Sequence, residues 1–441
     1  MKGQRNNAYF ISAGELSARG RENIPKELKS SENFVYSSPA TLAFNSPGAQ
    51  GFGVKRAGLA VPGSVMLLVA PGCCGRNTSA LGAGGELADR FFYLILDETD
   101  IVTGRHLRKI PEAVAEVCRA RAVRPDAVMI CITCVDALLG TDMERVCRAS
   151  SEKAGVPVVP CYMYALTREG RVPPMTSVRK SVYSLLKPSR KDPASVNLLG
   201  YFSPLREDCE LYGLLRQSGV RHVREISRCK CFAEYEKMAE ANFNLVLNPE
   251  ARFAALDLEK RLGMPFIELT RMYQLDKVRN QYALLAKAAG LRFDDSPFYD
   301  EAEKAVTGFL VRFGPVSFSV GEWFNGNPFE TALALVRYGF RVPEIFGTPG
   351  DASFPYIRRL AQLSPETKIF SNLSPSMLSY DRTSAGSSFA LGQDAMYYHP
   401  ELPGLRWNGE AQPFGYAGIR ELFRGMTDVL SAKEEGKEVA R

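Results

Sequence analysis

The sequence predicts an α/β protein made of three successive Rossmann-like parallel-sheet domains around a central cleft. Short apolar runs rich in β-branched residues alternate with amphipathic stretches of helical length, the pattern of parallel strands joined by crossover helices. The alternation falls into three sets, the first two divided by a polar, proline-containing stretch. A chain of 441 residues also exceeds what one core organises, at about 100–200 residues per domain.

The first set, residues 1–190 with an N-terminal extension, has strands expected at Val65–Ala70, Phe91–Leu96, Ala127–Ile132 and Val156–Cys161. Helices are expected near Pro111–Arg121 and Val135–Ala154; Pro111 suits a first helical turn and Gly155 a helix stop. The linker Lys187–Ser195 leads into the second set, residues 191–300, with helices at Pro204–Ser218, through Tyr235 and at Glu250–Leu262 between the strands VNLLGY, VREI, NLVLN and PFIEL. The third set, residues 301–441, runs through PVSFSV, a helix Pro328–Tyr338, RVPEIF, a helix after Asp351 and TKIFSN. Its Ser-, Gly-, Pro- and Tyr-rich remainder reads as loop, followed by a closing helix Ala417–Leu430.

A hydrophobic fraction of 45% with 24% charged residues is that of an ordinary globular protein. No apolar run approaches the roughly 18 residues of a membrane span, so no membrane partner is expected. The first thirty residues lack an apolar core followed by a small-residue cleavage site, which points to a cytoplasmic location. The net charge of +6, from 55 basic against 49 acidic residues, is interspersed rather than blocked, so nucleic acid is not an expected partner. Ten cysteines in a reducing compartment are metal ligands or buried apolar residues rather than a disulfide framework.

In open parallel sheets ligands sit beyond the carboxyl ends of strands. Pro71-Gly72-Cys73-Cys74-Gly75 follows the strand VMLLVA, and Cys134 follows AVMICI, so these cysteines can converge on one site. Thiolates hold iron–sulfur clusters, and glycines such as Gly72 and Gly75 let backbone approach the sulfides. Small buried hydrophobes are the alternative that spacing leaves open. Cys131 lies inside its strand, Cys118, Cys147, Cys161 and Cys209 fit packing positions, and Cys229-Lys230-Cys231 reads as a surface pair. Only three histidines are present, His106, His222 and His399, with no HExxH. There is no GxxxxGK[ST], so the chain is not expected to bind and hydrolyse ATP by itself.

Four landmarks occur in order: Ala70-Pro71-Gly72-Cys73-Cys74-Gly75, Asp100-Ile101-Val102-Thr103-Gly104, the stretch from Cys134 to Asp142, and Pro413-Phe414-Gly415-Tyr416-Ala417-Gly418. Together they resemble the nitrogenase component 1 superfamily, which includes nitrogenase MoFe-type subunits, the cluster-assembly scaffold pair, dark-operative protochlorophyllide reductase and the nickel-sirohydrochlorin cyclase. The resemblance implies that Cys74 and Cys134 are cluster thiolates facing a partner subunit. It implies an iron–sulfur cluster, [4Fe-4S] or larger, and electrons from a separate ATP-dependent iron protein. The partner would be a related subunit or a second copy, as a heterotetramer or homodimer. The activity implied is that of a low-potential reductase acting on a tetrapyrrole, a thioether or another acceptor; a non-catalytic scaffold for cluster maturation is the alternative. A small-molecule binding protein with packed cysteines is a third reading. The chain departs from the family twice. An upstream cluster cysteine expected near Gly48 is missing, which makes Cys73 a candidate replacement, and Asn248 stands where a cofactor-ligating cysteine is expected, with no histidine in the segment leading into Phe414. Dinitrogen reduction is therefore not expected of this subunit.

Overall fold

A computed structural model describes residues 8–28, 38–40, 53–72, 87–133, 139–163, 172–382 and 386–435. A two-residue strand, β1 (Ile11–Ser12), precedes the first βα set. There β2 (Ser64–Ala70) is buried at every position, the continuous apolar run of a strand covered on both faces. Alternation sends Met66, Leu68 and Ala70 into one core and Val65, Leu67 and Val69 into the other. β3 (Phe91–Ile95), β4 (Ala127–Ile132) and β5 (Val158–Tyr162) complete a parallel sheet in the order β3-β2-β4-β5.

The second sheet is likewise parallel, in the order β7-β6-β8-β9, from β6 (Asp192–Leu199), β7 (His222–Arg224), β8 (Ala241–Val246) and β9 (Phe266–Glu268). The helix Pro174–Ser184 joins it to the first sheet. Its Val178, Val182 and Tyr183 share one core with Met66 and Met129 on one side and Ala254 and Leu258 on the other.

The third sheet has six strands in the order β1-β12-β11-β10-β13-β14. β10 (Ser317–Val320), β11 (Arg341–Phe346), β12 (Lys368–Phe370), β13 (Phe389–Leu391) and β14 (Gly404–Leu405) are parallel. β1 pairs antiparallel with β12 at the edge. The chain steps from β10 out through β11 and β12 and then returns to the other flank of β10 with β13, a topological switch point. By internal contacts the chain divides into two compact units: Gln50–Pro204 with Gly219–Thr270, which holds the first two sheets, and Met1–Ala49, Leu205–Ser218 and Arg271–Arg441, which holds the third. Among the described residues no helix is long and apolar enough to cross a membrane.

The three expected βα sets are thus present, and the differences are local. The helix expected from Pro111 begins at His106, placing Pro111 in its interior. The added turn is anchored by Asp100, whose buried carboxylate takes Arg105 and Lys109, and a proline there forgoes one backbone hydrogen bond. The helix expected from Val135 is described only over Met143–Ala154, with the Asp142 side chain accepting from the amide of Arg145. The segment read as loop after Asn372 contains β13 and β14, strands too short for periodicity to reveal.

Candidate functional site

The site begins from the register of two strands. Val69 of β2 is opposite Ile132 of β4, and both run the same way, so these strand ends lie side by side at about 4.8 Å, the spacing of neighbouring strands. Cys73, Cys74, Gly75 and Cys134 lie outside the described residues. Their described neighbours are Pro71 and Gly72 after β2 and Thr133 after β4. A side chain built on Gly72 would meet nothing within 4 Å, so crowding is not what places glycine there. Thr133 is only 2% exposed, and its hydroxyl has no hydrogen-bond partner among the described residues. This fits a sulfur-rich group nearby: two neighbouring strand ends, each leading within four residues to a cysteine, and a buried donor with nothing to donate to.

Beyond β3, the neighbour of β2 on the other side, lies the Asp100–Gly104 turn. Asp97 and Asp100 form a reciprocal cap on the helix Glu98–Val102. The Asp100 carboxylate then binds Lys109 Nζ at 2.5 Å and Arg105 Nε at 2.6 Å. Lys109 and Arg105 hold its carboxyl well below the usual carboxylate range. His106 reaches the Asp100 carbonyl at 3.1 Å with Nδ1 and Thr141 Oγ1 at 3.5 Å with Nε2, tying this turn to the stretch after Cys134. The second landmark is therefore a rigid charged brace at the carboxyl edge of the first sheet.

The remaining cysteines are packing groups or surface thiols. Cys131 and Cys161 are fully buried and opposite each other in register, and burial pushes the Cys161 thiol far above its usual range. Cys147 and Cys209 are buried, and Cys118 packs against the core on the other face of the first sheet. Burial pushes the thiol of half-buried Cys229 up to about 11, while Cys231 is exposed. Among the described residues no three His, Cys, Asp or Glu side chains converge as a metal site.

In the second sheet, Asn248 follows β8 and its side chain accepts the Glu250 amide at 3.0 Å, capping a short turn. Gly200, after β6, is held at φ +127°, and a Cβ there would come within 2.7 Å of the Asn248 nitrogen. Buried Arg179 locks the same strand end, donating to the Gly200 carbonyl at 2.8 Å and pairing with Glu250 at 2.7 Å.

At the switch point of the third sheet Asp394 bonds with Asn372 and Glu322 with Thr348. The Asp394 carboxylate, fully buried, accepts the amides of Glu322 and Trp323 at 2.9 and 3.1 Å and the Asn372 side chain at 2.7 Å. Gly321 is obligatory, since a Cβ there would lie 2.0 Å from Asp394 Oδ1. Loss of surrounding water pushes the Glu322 carboxyl up to about 7, although the Thr348 amide donates to it at 3.1 Å. The two amides that would cradle a phosphate after β10 are thus taken by Asp394. Deeper in the sheet, Glu344 accepts Ser319 and Tyr380 at 2.8 and 2.7 Å and meets His399 at 2.5 Å. Sequence reasoning noted only His399 among these residues and gave it no partner; the available signal was a Gly-Glu pair just after β10 and a Gly-x-Asp just after β13.

The fourth landmark is a structural joint. Gly415, at φ +60°, opens the helix Gly415–Glu434, whose first amides, those of Tyr416 and Ala417, donate to buried Glu210 at 2.7 and 3.0 Å. Any Cβ on Gly415 would collide with that carboxylate at 1.9 Å.

Comparison with known proteins agrees with this architecture. Over 234 residues the chain is 26% identical to the nitrogenase iron-molybdenum cofactor biosynthesis protein NifE of Nostoc sp., covering 49% of this chain and 48% of that one. The same-named protein of Rhodobacter capsulatus is 29% identical over 210 residues, 46% of this chain and 44% of the other. The chain thus spans about half the length of these relatives. A solved structure described as nitrogenase Cp1 at pH 6.5 superposes with a TM-score of 0.69 over 95% of this chain and 100% of its own, at 15% identity, which shows the shared fold. Residues 49–312 match the nitrogenase component 1 type oxidoreductases, and it is to this family that the chain belongs.

Proposed function

We propose that this chain is the cluster-holding subunit of a nitrogenase-like low-potential reductase, with Cys74 and Cys134, and Cys73 as a further ligand, holding an iron–sulfur cluster of [4Fe-4S] type or larger. The observation that carries the proposal is the side-by-side placement of the β2 and β4 strand ends, with the unpartnered Thr133 hydroxyl between Ile132 and Cys134. The cluster, when bound, supplies one-electron storage at low potential. The chain's own residues do the rest. Gly72 adds no side chain just before the cysteines, Gly75 would let backbone approach the sulfides, and the Asp97–Lys109 brace fixes the neighbouring edge through charge-assisted hydrogen bonds. Even with Cys73 the chain offers three cysteines, one fewer than a cubane takes, so a related subunit or a second copy completes the ligand set, and a separate ATP-dependent iron protein delivers electrons. Asn248 is committed to capping its turn, which supports a role other than dinitrogen reduction.

A second reading is favoured by the names of the relatives: the chain is a scaffold that holds a cluster and passes it on, like proteins called cofactor biosynthesis proteins. Both readings use the same cysteines. Anaerobic purification followed by incubation with an apo acceptor protein separates them. A reductase keeps its iron and is re-oxidised by substrate over repeated cycles; a scaffold loses its iron stoichiometrically to the acceptor. Protein purified anaerobically without iron or sulfide contradicts both.

A further inference from the structure

We infer that Cys229 and Cys231 form a reversible oxidation site, closing as a disulfide when the chain meets a peroxide; this stands apart from the cluster-holding role proposed above. The two residues lie between the short turn Ile226–Arg228 and the helix Phe232–Glu236. Both are extended, Cys229 at φ −73°, ψ 120° and Cys231 at φ −144°, ψ 165°. Residues two apart in an extended segment fall on one side of the chain with Cα atoms about 6.6 Å apart. Bridged cysteines span about 4.4–6.8 Å, so the spacing admits a bond. The backbone around the pair is pinned. The Lys230 amide donates to the Glu234 carboxylate at 2.7 Å, and the amides of Glu234 and Tyr235 donate to the Cys231 carbonyl at 3.1 and 3.2 Å. Closure therefore asks for rotation about side-chain bonds rather than for refolding.

The two thiols differ in the way such a site requires. Among the described cysteines Cys231 is the exposed one, so a dissolved oxidant reaches it first. Cys229 is half-buried, its Sγ donates to the Glu225 carbonyl at 3.3 Å, and burial, with Glu234 adding to it, pushes its thiol up to about 11. It stays protonated and unreactive until its neighbour is oxidised. The Cys231 thiolate attacks one peroxide oxygen, the O–O bond breaks, and Cys231 becomes a sulfenic acid as the other oxygen leaves and is protonated to water. The Cys229 sulfur then displaces the sulfenic hydroxyl, which takes the Cys229 proton and leaves as a second water. Two thiols lose two electrons to one hydrogen peroxide. An exposed disulfide closed over a single residue belongs to the labile kind that a thiol reductant reopens.

The test uses the full chain, reduced, treated with a small excess of hydrogen peroxide, quenched with catalase, alkylated and digested with trypsin. Trypsin cuts after Arg228 and after Lys230, between the two cysteines. Closure is expected to appear by mass spectrometry as residues 229–230 joined to residues 231–237, a species that dithiothreitol separates. In Cys229→Ser, Cys231 is expected to pass on to sulfinic acid, which dithiothreitol does not reverse. In Cys231→Ser, oxidation of Cys229 is expected to be at least about tenfold slower than closure of the wild-type pair, because little of it is thiolate. Wild-type protein in which both thiols are still alkylated after peroxide overturns the inference. So does wild-type protein in which Cys231 ends as sulfinic acid beside a free Cys229, or is joined to a second copy of the chain in preference to Cys229.

Discussion

The carboxyl ends of the first and third sheets differ in the side chains that follow their strands. After β10 and β13, Asp394, Asn372, Glu322 and Thr348 satisfy one another, and the crevice of the switch point is filled by the protein's own carboxylate. After β2 and β4, the buried Thr133 hydroxyl has no partner among the described residues, and the sequence runs on into cysteines. A parallel sheet offers a crevice at each such end, so the fold alone does not say where a ligand goes. At the third sheet the Asp394 carboxylate takes the place a ligand would occupy, and at the first sheet the proposal is that a cluster does.

Breaking the closed end should cost stability and leave iron untouched. The largest effect is expected for Glu344→Leu, which strands Ser319, Tyr380 and His399 in the interior. Removing one partner of a buried pair costs about 3–5 kcal/mol. Denaturant unfolding should show that loss with the iron content of the native protein unchanged. Asp394→Ala frees two backbone amides and an Asn side chain, for about 2–3 kcal/mol by the same measurement.

The two ends should also respond to pH with opposite signs. Burial raises Glu322 to about 7, and Asp394's own burial raises its carboxyl too. A folded-state pKa above the unfolded value means stability that is present at acid pH and is lost as pH rises through about 7. The slope is at most about 1.4 kcal/mol per pH unit for one group. Melting followed from pH 5 to 7.5 should therefore fall for the unit holding the third sheet, and Glu322→Gln should flatten the curve. Asp100 is depressed by Lys109 and Arg105, so its contribution is present above about pH 4 and is lost on further acidification. Asp100→Asn should remove that acid limb and leave the limb near pH 7 in place. The smallest effect belongs to Cys131→Ala, a truncation within the shared core, expected to cost about 1 kcal/mol while iron is retained.

Much of this architecture was legible from residue order. SVMLLVA and AVMICI announce buried parallel strands because a strand covered on both faces needs an unbroken apolar run, and both appear within one residue of their expected bounds. Gly155 and Gly263 close their helices in the left-handed conformation that glycine adopts without strain. β13 and β14 were hidden by their length of three and two residues, and β1 by pairing with a strand more than 350 residues away. The start of the helix at His106 was hidden for a related reason. Asp100 acts through side-chain charge on Arg105 and Lys109, which no periodicity records. At the candidate site, strand-end position singled out Cys74 and Cys134, and the same rule was available for Glu322 and Asp394. What sequence does not display is which strand end satisfies its own polar atoms, since that depends on partners such as Asn372 and Asp394, brought together by the fold.

The central proposal is that the carboxyl end of the first sheet holds a cluster through Cys74 and Cys134, and iron analysis with EPR of anaerobically purified Cys74→Ala and Cys134→Ala tests it most directly. Each substitution is expected to abolish bound iron and the cluster signal while the melting temperature of the metal-free protein stays that of wild type, because strand-end loops contribute little to the core. If both variants retain wild-type iron, the chain holds no cluster through these residues and the account is contradicted.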